Sequence, residues 1–382
     1  MPTTIAVSGS IAQRPGRAGH AWVFLNYLLG LRDLGYEVLF LDRLEAAMLN
    51  GEGSGGDAGD SLGARWLVEL MAGAGLDDSF ALLLDDAETI GQSRRQALER
   101  IKSSSLLLDF NGFLDDEELL AAAPRRAYLD IDPGFAQMWS ELGLADPFAG
   151  YDAFASVGLN LGSAECAVPD AGRDWVTTPQ PVLLERWPVI EGGSAFTSVG
   201  SWRGPFGPVE YEGETYGLRA HEFRRFAELP QRIDAPCEIA LDIDPADGAD
   251  VERLEAGGWD LCDPATIAAD LERYRAYLGS SRAEIGVAKG MYVRSRGGWF
   301  SDRSACYLAS GKPVLAQDTG FGSALPVGEG LLSFDDVDSA AGAAEDVLAD
   351  PRRHACAARE IAVEIFDSRK VLPALLERLG GV

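Results

Sequence analysis

Between Lys289 and Arg303 the chain carries four basic residues, Lys289, Arg294, Arg296 and Arg303, against a single acidic one, Asp302. This is a locally positive stretch in a chain of formal net charge -27. It surrounds Gly297 and Gly298 and leads into Ser301, a residue type that caps helix starts. Unpaired N–H groups at a helix N-terminus, together with the helix dipole, favour an anion there. Two glycines let the backbone approach that anion without a side-chain clash. The chemistry to expect is phosphate binding. The plainer alternative is a capped loop whose arginines only pair with surface carboxylates. The stretch is neither a GxGxxG fingerprint nor a GxxxxGKS/T phosphate loop.

Other candidates stand at the ends of apolar runs. Asp132 follows the run RRAYLDI and precedes Pro133, which forces a turn. Its carboxylate can serve as a base, bind acceptor hydroxyls, or cap the helix expected near Phe135. Asn111-Gly112 after SSSLLLDF is a turn with similar placement and no distinct chemistry. Trp139, Trp175, Trp187, Trp202 and Trp299 gather near loops, where they either stack on a sugar or pack in the core.

The elements that would position these residues alternate. Residues 3–10 read as a buried strand, His20 to Leu34 as a helix stopped by Gly35, and residues 37–42 as the next strand. Residues 50–60 are a Gly/Asp surface loop, followed by a helix from Ser61 to Ala74. Residues 103–110 and 125–132 read as further strands. Residues 179–194, rich in proline and glycine, read as a linker. A second series starts at Phe196. A long polar insertion at 203–217 precedes a helix at 220–229, a strand at 238–243, a helix near 264–277, a strand at 283–289, a helix at 301–310 and a strand at 313–318. Helices at 338–349 and 351–366 and a last one from Ser368 to Leu379 close the chain. The expectation is α/β, with two parallel sheets in two Rossmann-like domains facing across a cleft. Their bounds are 1–190 and 191–366, with 367–382 as a C-terminal helix.

Length and composition agree. At 382 residues and 47% hydrophobic, the chain exceeds the ~250–300 residues at which single cores stop growing. No apolar run reaches ~18 residues. The start MPTTIAVSGS has no basic, apolar leader pattern. The acidic surface argues against nucleic acid as a partner. Five scattered cysteines and three histidines form no disulfide framework or metal cluster. A cytoplasmic location is expected, with neither metal nor cofactor.

The run from Ser301 to Phe334 resembles the donor-binding end of GT-B glycosyltransferases of the group-1 type. That family shows a helix ending in A-x-G-x-P-V, a strand, and a Thr-Gly turn. Ala309, Gly311, Pro313, Val314, Thr319 and Gly320 match it. The likeness covers the second half; the first half matches in its alternation and its Gly19-His20 loop. It implies transfer of a sugar from a nucleotide-diphosphate donor to an acceptor that the sequence does not name. The donor would be held by Gly297, Gly298, Ser301, Lys289, Arg303, Thr319 and Gly320. The first loop of the second half, with Ser201, Arg203 and the nearby Arg219, would face the diphosphate. His20 would be the base that takes the acceptor hydroxyl's proton, with the acceptor near Asp132. The resemblance departs at one point. Two glutamates of many retaining members fall here on Cys306 and Gly298, and Asp302, one helical turn before Cys306, can substitute. The rival expectations are a nucleotide-sugar epimerase, which poverty in histidine disfavours, and a catalytically silent scaffold of the same fold.

Overall fold

In the computed structural model, residues 3–45, 48, 58–84, 88–204 and 206–380 are described. The first half builds one sheet from β1 (Thr4–Ser8), β2 (Glu37–Arg43), β3 (Phe80–Leu83), β4 (Thr89–Gly91), β5 (Leu106–Phe110), β6 (Arg126–Asp130), β7 (Ala153–Ser156) and β8 (Trp175–Thr177). Their order is β4-β3-β2-β1-β5-β6-β7-β8, and only the β3–β4 pairing is antiparallel. The central strands are buried along their whole length, β1 and β5 at every residue. That is why they read as unbroken apolar runs, as strands covered on both faces do.

The second half builds a six-stranded parallel sheet from β9 (Phe196–Ser201), β12 (Cys237–Asp242), β13 (Asp260–Cys262), β14 (Ala283–Gly286), β15 (Val314–Gln317) and β16 (Leu331–Phe334). The order is β13-β12-β9-β14-β15-β16. Between β9 and β12 lies a separate hairpin, β10 (Val209–Tyr211) and β11 (Glu214–Tyr216). The segment foreseen as a polar insertion is therefore folded. Its Val209 and Tyr216 pack in one apolar cluster with Phe135 and Met138 of the first half.

The helix Ala18–Asp33 is apolar on nearly every side and buried from Ala21 through Leu31. Such a helix needs cover all round. It packs against the helix Leu271–Ser280 of the second half and the last helix, Ser368–Arg378. Gly30 allows the last of these approaches; a Cβ there would sit 2.6 Å from Leu372 Cδ1. The chain thus crosses between halves twice at one place, where Val182 N–H donates to Phe366 O and Ser368 N–H to Val182 O.

Several elements differ from the sequence reading. The helix expected at 264–277 breaks into Pro264–Ile267 and Leu271–Ser280, because Asp270 caps a fresh start through Arg273 N–H. The helix at 220–229 is Arg219–Phe223, continued only by 3₁₀ turns. The strand expected to 289 ends at Gly286, and a short helix, Gly290–Ser295, follows. The helix at 351–366 is regular to Ile361 and then widens into a π turn. Strands β3, β4, β7 and β8 have no counterpart in the sequence reading. Of the Gly/Asp loop at 50–60, only residues 58–60 are described, as a 3₁₀ turn; the rest lies outside the described residues. Among the described residues no helix is long and apolar enough to cross a membrane.

Candidate active site

In each sheet the strand order reverses once, between β1 and β5 and between β9 and β14. Open α/β sheets bind ligands beyond the carboxyl ends of the strands at such a reversal. Here both reversals open onto one cleft of about 380 Å³. The loop after β1 brings Arg14, Arg17 and His20 to it, and the loops after β5 and β6 bring Asn111 and Asp132. The second half contributes Ser201 and Arg203 beyond β9, Arg219 beyond the hairpin, Lys289 beyond β14, and Ser301, Asp302 and Arg303 at a helix start.

Two ion pairs cross the cleft. Lys289 Nζ donates to Asp132 Oδ1 at 2.5 Å, and the Tyr292 hydroxyl donates to the same oxygen. Arg17 pairs with Asp242 at 2.7 Å. Lys289 Nζ also lies 5.2 Å from the Phe135 ring centroid and 5.1 Å from that of Tyr292, so two aromatic faces and the Asp132 carboxylate share its charge.

His20 stands in the first turn of the helix Ala18–Asp33. Its Nε2 lies 3.0 Å from Ser10 Oγ and 3.2 Å from Ser10 O, and its ring meets Phe24 edge-on. The carbonyl contact places the proton of the neutral ring on Nε2 and the lone pair on Nδ1. Burial lowers its pKa to about 4, and the charge of Arg14 acts in the same direction. The ring is therefore neutral at neutral pH.

Arg219 has no carboxylate partner among the described residues, and its buried Nε has no hydrogen bond. Its guanidinium lies over the backbone of Gly200; a Cβ at that position would collide with it. Burial pushes its pKa down to about 10, with the charge of Arg303 next in effect. A desolvated cation beside bare backbone lacks a counter-anion.

Arg14, exposed on the loop after β1, likewise has no carboxylate partner among the described residues; the remaining cations of the cleft are engaged. Arg303 donates to Glu284 Oε1 at 2.5 Å and to Val199 O at 2.7 Å, in an ion pair whose carboxylate is fully buried. Arg203 forks onto Asp247 at the exposed rim. Asp302 is held above the usual carboxylate range by burial, an effect that Arg303 and the N–H groups of Asp302 and Arg303 oppose. Its own carboxylate thus occupies the helix start at which an anion was expected. Among the described residues, no three His, Cys, Asp or Glu side chains gather as a metal site.

No protein-family model matches this chain, and no curated protein sequence does. Solved structures match over nearly its whole length. HepE of Anabaena, in complex with UDP and glucose, aligns with a TM-score of 0.61 at 11% identity, covering 99% of each chain. AviGT4, a glycosyltransferase of avilamycin A biosynthesis, gives 0.57 at 13%, covering 99% of this chain and 97% of its own. Sucrose-phosphate synthase of Thermosynechococcus elongatus gives 0.56 at 13%, covering 99% of each. The chain has the GT-B fold.

Within this GT-B frame, part of the expected donor set is not at the cleft. Gly297 and Gly298 form a seam with the first half. Gly297 O accepts from Asn160 N–H at 3.0 Å, and Trp299 forms an isolated antiparallel bridge with Gly158. Gly298 has φ +74°, and a Cβ there would lie 2.7 Å from Asn160 N. Thr319 and Gly320 belong to the same seam. Thr319 Oγ1 donates to Trp299 O at 2.6 Å, and Gly320 O accepts from Asn160 Nδ2 at 2.8 Å. The glycines of the turn serve close packing between halves, not approach to a phosphate. Arg294 pairs with Glu214, and Arg296 with Asp318 at 3.0 Å, so the positive stretch is neutralised by carboxylates from elsewhere in the chain.

Of the five tryptophans, only Trp299 lines the cleft, stacked on Tyr292 at 4.2 Å. Trp187 and Trp202 are core residues. Trp139 packs on Phe206 and Trp175 on Phe148. Cys306 is buried beside Asn26 of the first helix, and burial holds its thiol well above the usual range. Asp302, one turn earlier, does reach the cleft. Sequence reasoning missed Asn160, which the pattern Gly158-x-Asn160-x-Gly162 marks only as a turn, and Gln180 in the linker, which carries no motif.

Proposed function

We propose that this protein transfers a sugar from a nucleoside-diphosphate sugar to a hydroxyl acceptor. The observation that carries the reading is the guanidinium of Arg219, its Nε buried and without a partner among the described residues, over the bare backbone of Gly200 at the strand-order reversal of the second sheet. A diphosphate supplies the charge this arrangement lacks and the oxygens a planar guanidinium forks onto. The complexes of HepE with UDP and with UDP-glucose support a uridine diphosphate donor as the first to try.

In this reading the diphosphate lies on Gly200 and Arg219 and draws Lys289 from Asp132. The acceptor oxygen bonds to the anomeric carbon as the bond from that carbon to the diphosphate oxygen breaks. The diphosphate leaves with the electron pair, its charge taken up by cations of the chain rather than a metal. His20 Nδ1 takes the acceptor proton. Asp132, once released, binds an acceptor hydroxyl. Ser201 and Ser301 line the same wall and donate to the donor. Arg203, held by Asp247, steers from the rim.

Differential scanning fluorimetry with UDP, GDP and dTDP is the test, since a bound nucleotide raises the melting temperature by mass action. The expected result is a concentration-dependent rise with one of them. No rise with any would leave a silent scaffold of the same fold. His20→Ala is expected to lower turnover while nucleotide affinity is kept; an unchanged rate places the base elsewhere. Because burial keeps His20 unprotonated down to about pH 4, the acid limb of turnover is expected near that pH rather than near ~6.5, the free imidazole's value.

A further inference from the structure

The linker between the two sheets carries a polar side chain that no described residue hydrogen-bonds. Gln180 is 4% exposed and lines the cleft. Among the described residues no hydrogen bond involves its side-chain amide. What remains exposed of this side chain includes its amide, which opens onto the cleft, where water or a ligand completes its hydrogen bonds.

Across the same cleft, Asn111 follows β5 in the left-handed region, with φ +50°. Asparagine takes this conformation readily, because its short side chain can bond to nearby backbone. Its Oδ1 accepts the Ile131 N–H at 2.9 Å. That bond fixes the amide plane and leaves Nδ2 without a partner among the described residues. Val23, Phe113 and Ile131 line the wall on this side.

We propose that Asn111 and Gln180 form the acceptor subsite, and that it takes an uncharged, hydroxyl-rich ring compound, a sugar or a cyclitol. The assignment rests on the transferase reading. An apolar wall fits the C–H face of such a ring, and a few convergent polar groups fix its orientation. Gln180 both donates and accepts, as a hydroxyl does, whereas Nδ2 of Asn111 only donates. An anionic group against Gln180 would meet the carbonyl end of the amide as well as the NH₂ end. Both residues act by positioning the acceptor before His20.

Two variants test this without unfolding the site. Asn111→Asp keeps the acceptor for Ile131 N–H and tolerates a left-handed backbone, but loses the NH₂ donor. Gln180→Leu keeps similar bulk and loses the amide. The full chain, loaded with whichever of UDP, GDP and dTDP binds, is titrated calorimetrically with glucose, sucrose, myo-inositol and glucose 6-phosphate. The expected result is that a neutral probe binds, and that each variant weakens it ~tenfold, the scale of one hydrogen bond, with nucleotide affinity unmoved. Neutral probes that fail to bind, a preference for glucose 6-phosphate, or neutral binding unchanged in both variants overturns the subsite. A parallel fall in nucleotide affinity also overturns it, because the residues would then serve the donor or the fold. A chain that binds no nucleotide removes the transferase reading itself, an outcome distinct from nucleotide binding with unmoved sugar affinity.

Discussion

Two glycine-and-arginine sites of the second half look alike in sequence and differ in the folded chain. The stretch from Arg294 to Arg303 is dense in charge, yet Arg294, Arg296 and Arg303 face Glu214, Asp318 and Glu284. Gly200 and Arg219 are nineteen positions apart and undistinguished in composition, yet they meet at the cleft, and among the described residues no carboxylate pairs with Arg219. The difference teaches that a local charge count measures only half of an electrostatic site. What remains for a ligand is the charge that tertiary partners leave unpaired, and burial decides how strongly that charge is felt.

The strongest break in the comparison is at Glu284. Glu284→Ala strands the Arg303 guanidinium among buried groups and is expected to cost about 3–5 kcal/mol in urea unfolding, as removal of one partner of a buried pair does. Replacing both residues with methionine is expected to recover most of that loss. Recovery would show that Arg303 is needed for Glu284 rather than for a ligand. Next in size is Arg219→Met, expected to weaken nucleotide binding by roughly 10–100-fold, the range of a charge-assisted contact, with no loss of folding stability. A chain that binds nucleotide equally well without this guanidinium would erase the contrast between the two sites.

Much of the architecture could be read beforehand. β1, β2, β9, β12 and β15 each begin within two residues of the expected position; β1, β2 and β15 are mostly apolar, as strands buried on both faces are, whereas β9 stands out by following the proline- and glycine-rich linker. β7 and β8 escape the reading: β15 is as short as β7, but the segments around AFAS and WVT are broken by polar and turn residues. His20, Asp132 and Lys289 line the cleft because position suffices for that: each follows a strand end at or beside a reversal of strand order. The Gly297 turn was misread because its partner, Asn160, lies more than a hundred residues away. Gln180 was invisible for the opposite reason, since its distinction is a partner it lacks, and no spacing in the sequence records that.

Gly298→Ala probes the sealed turn from the backbone side. The left-handed φ and the approach of Asn160 N together predict a loss of about 1–3 kcal/mol in unfolding free energy. Nucleotide affinity, measured at a temperature where the variant remains folded, is expected to stay within about twofold. A larger fall in affinity than in stability would return the turn to the donor site.

The smallest effect expected is also the sharpest discriminator. Arg296 has a left-handed backbone at φ +51°, and its side chain is 45% exposed and paired with Asp318. An ion pair this open contributes little, because water and salt screen it and two long side chains must be held still. Arg296→Ala is therefore expected to change stability by no more than about 0.5 kcal/mol beyond the strain of alanine at that φ, a strain that Arg296→Gly removes. Comparing the glycine variant with the wild type in 20 mM and 500 mM salt isolates the charge. If Arg296 only faces Asp318, nucleotide affinity falls with salt equally in both proteins, because the steering field comes from cations still present at the cleft. If the salt dependence instead flattens in the variant, Arg296 contributes to the field at the anion, and the seam and the cleft are a single site.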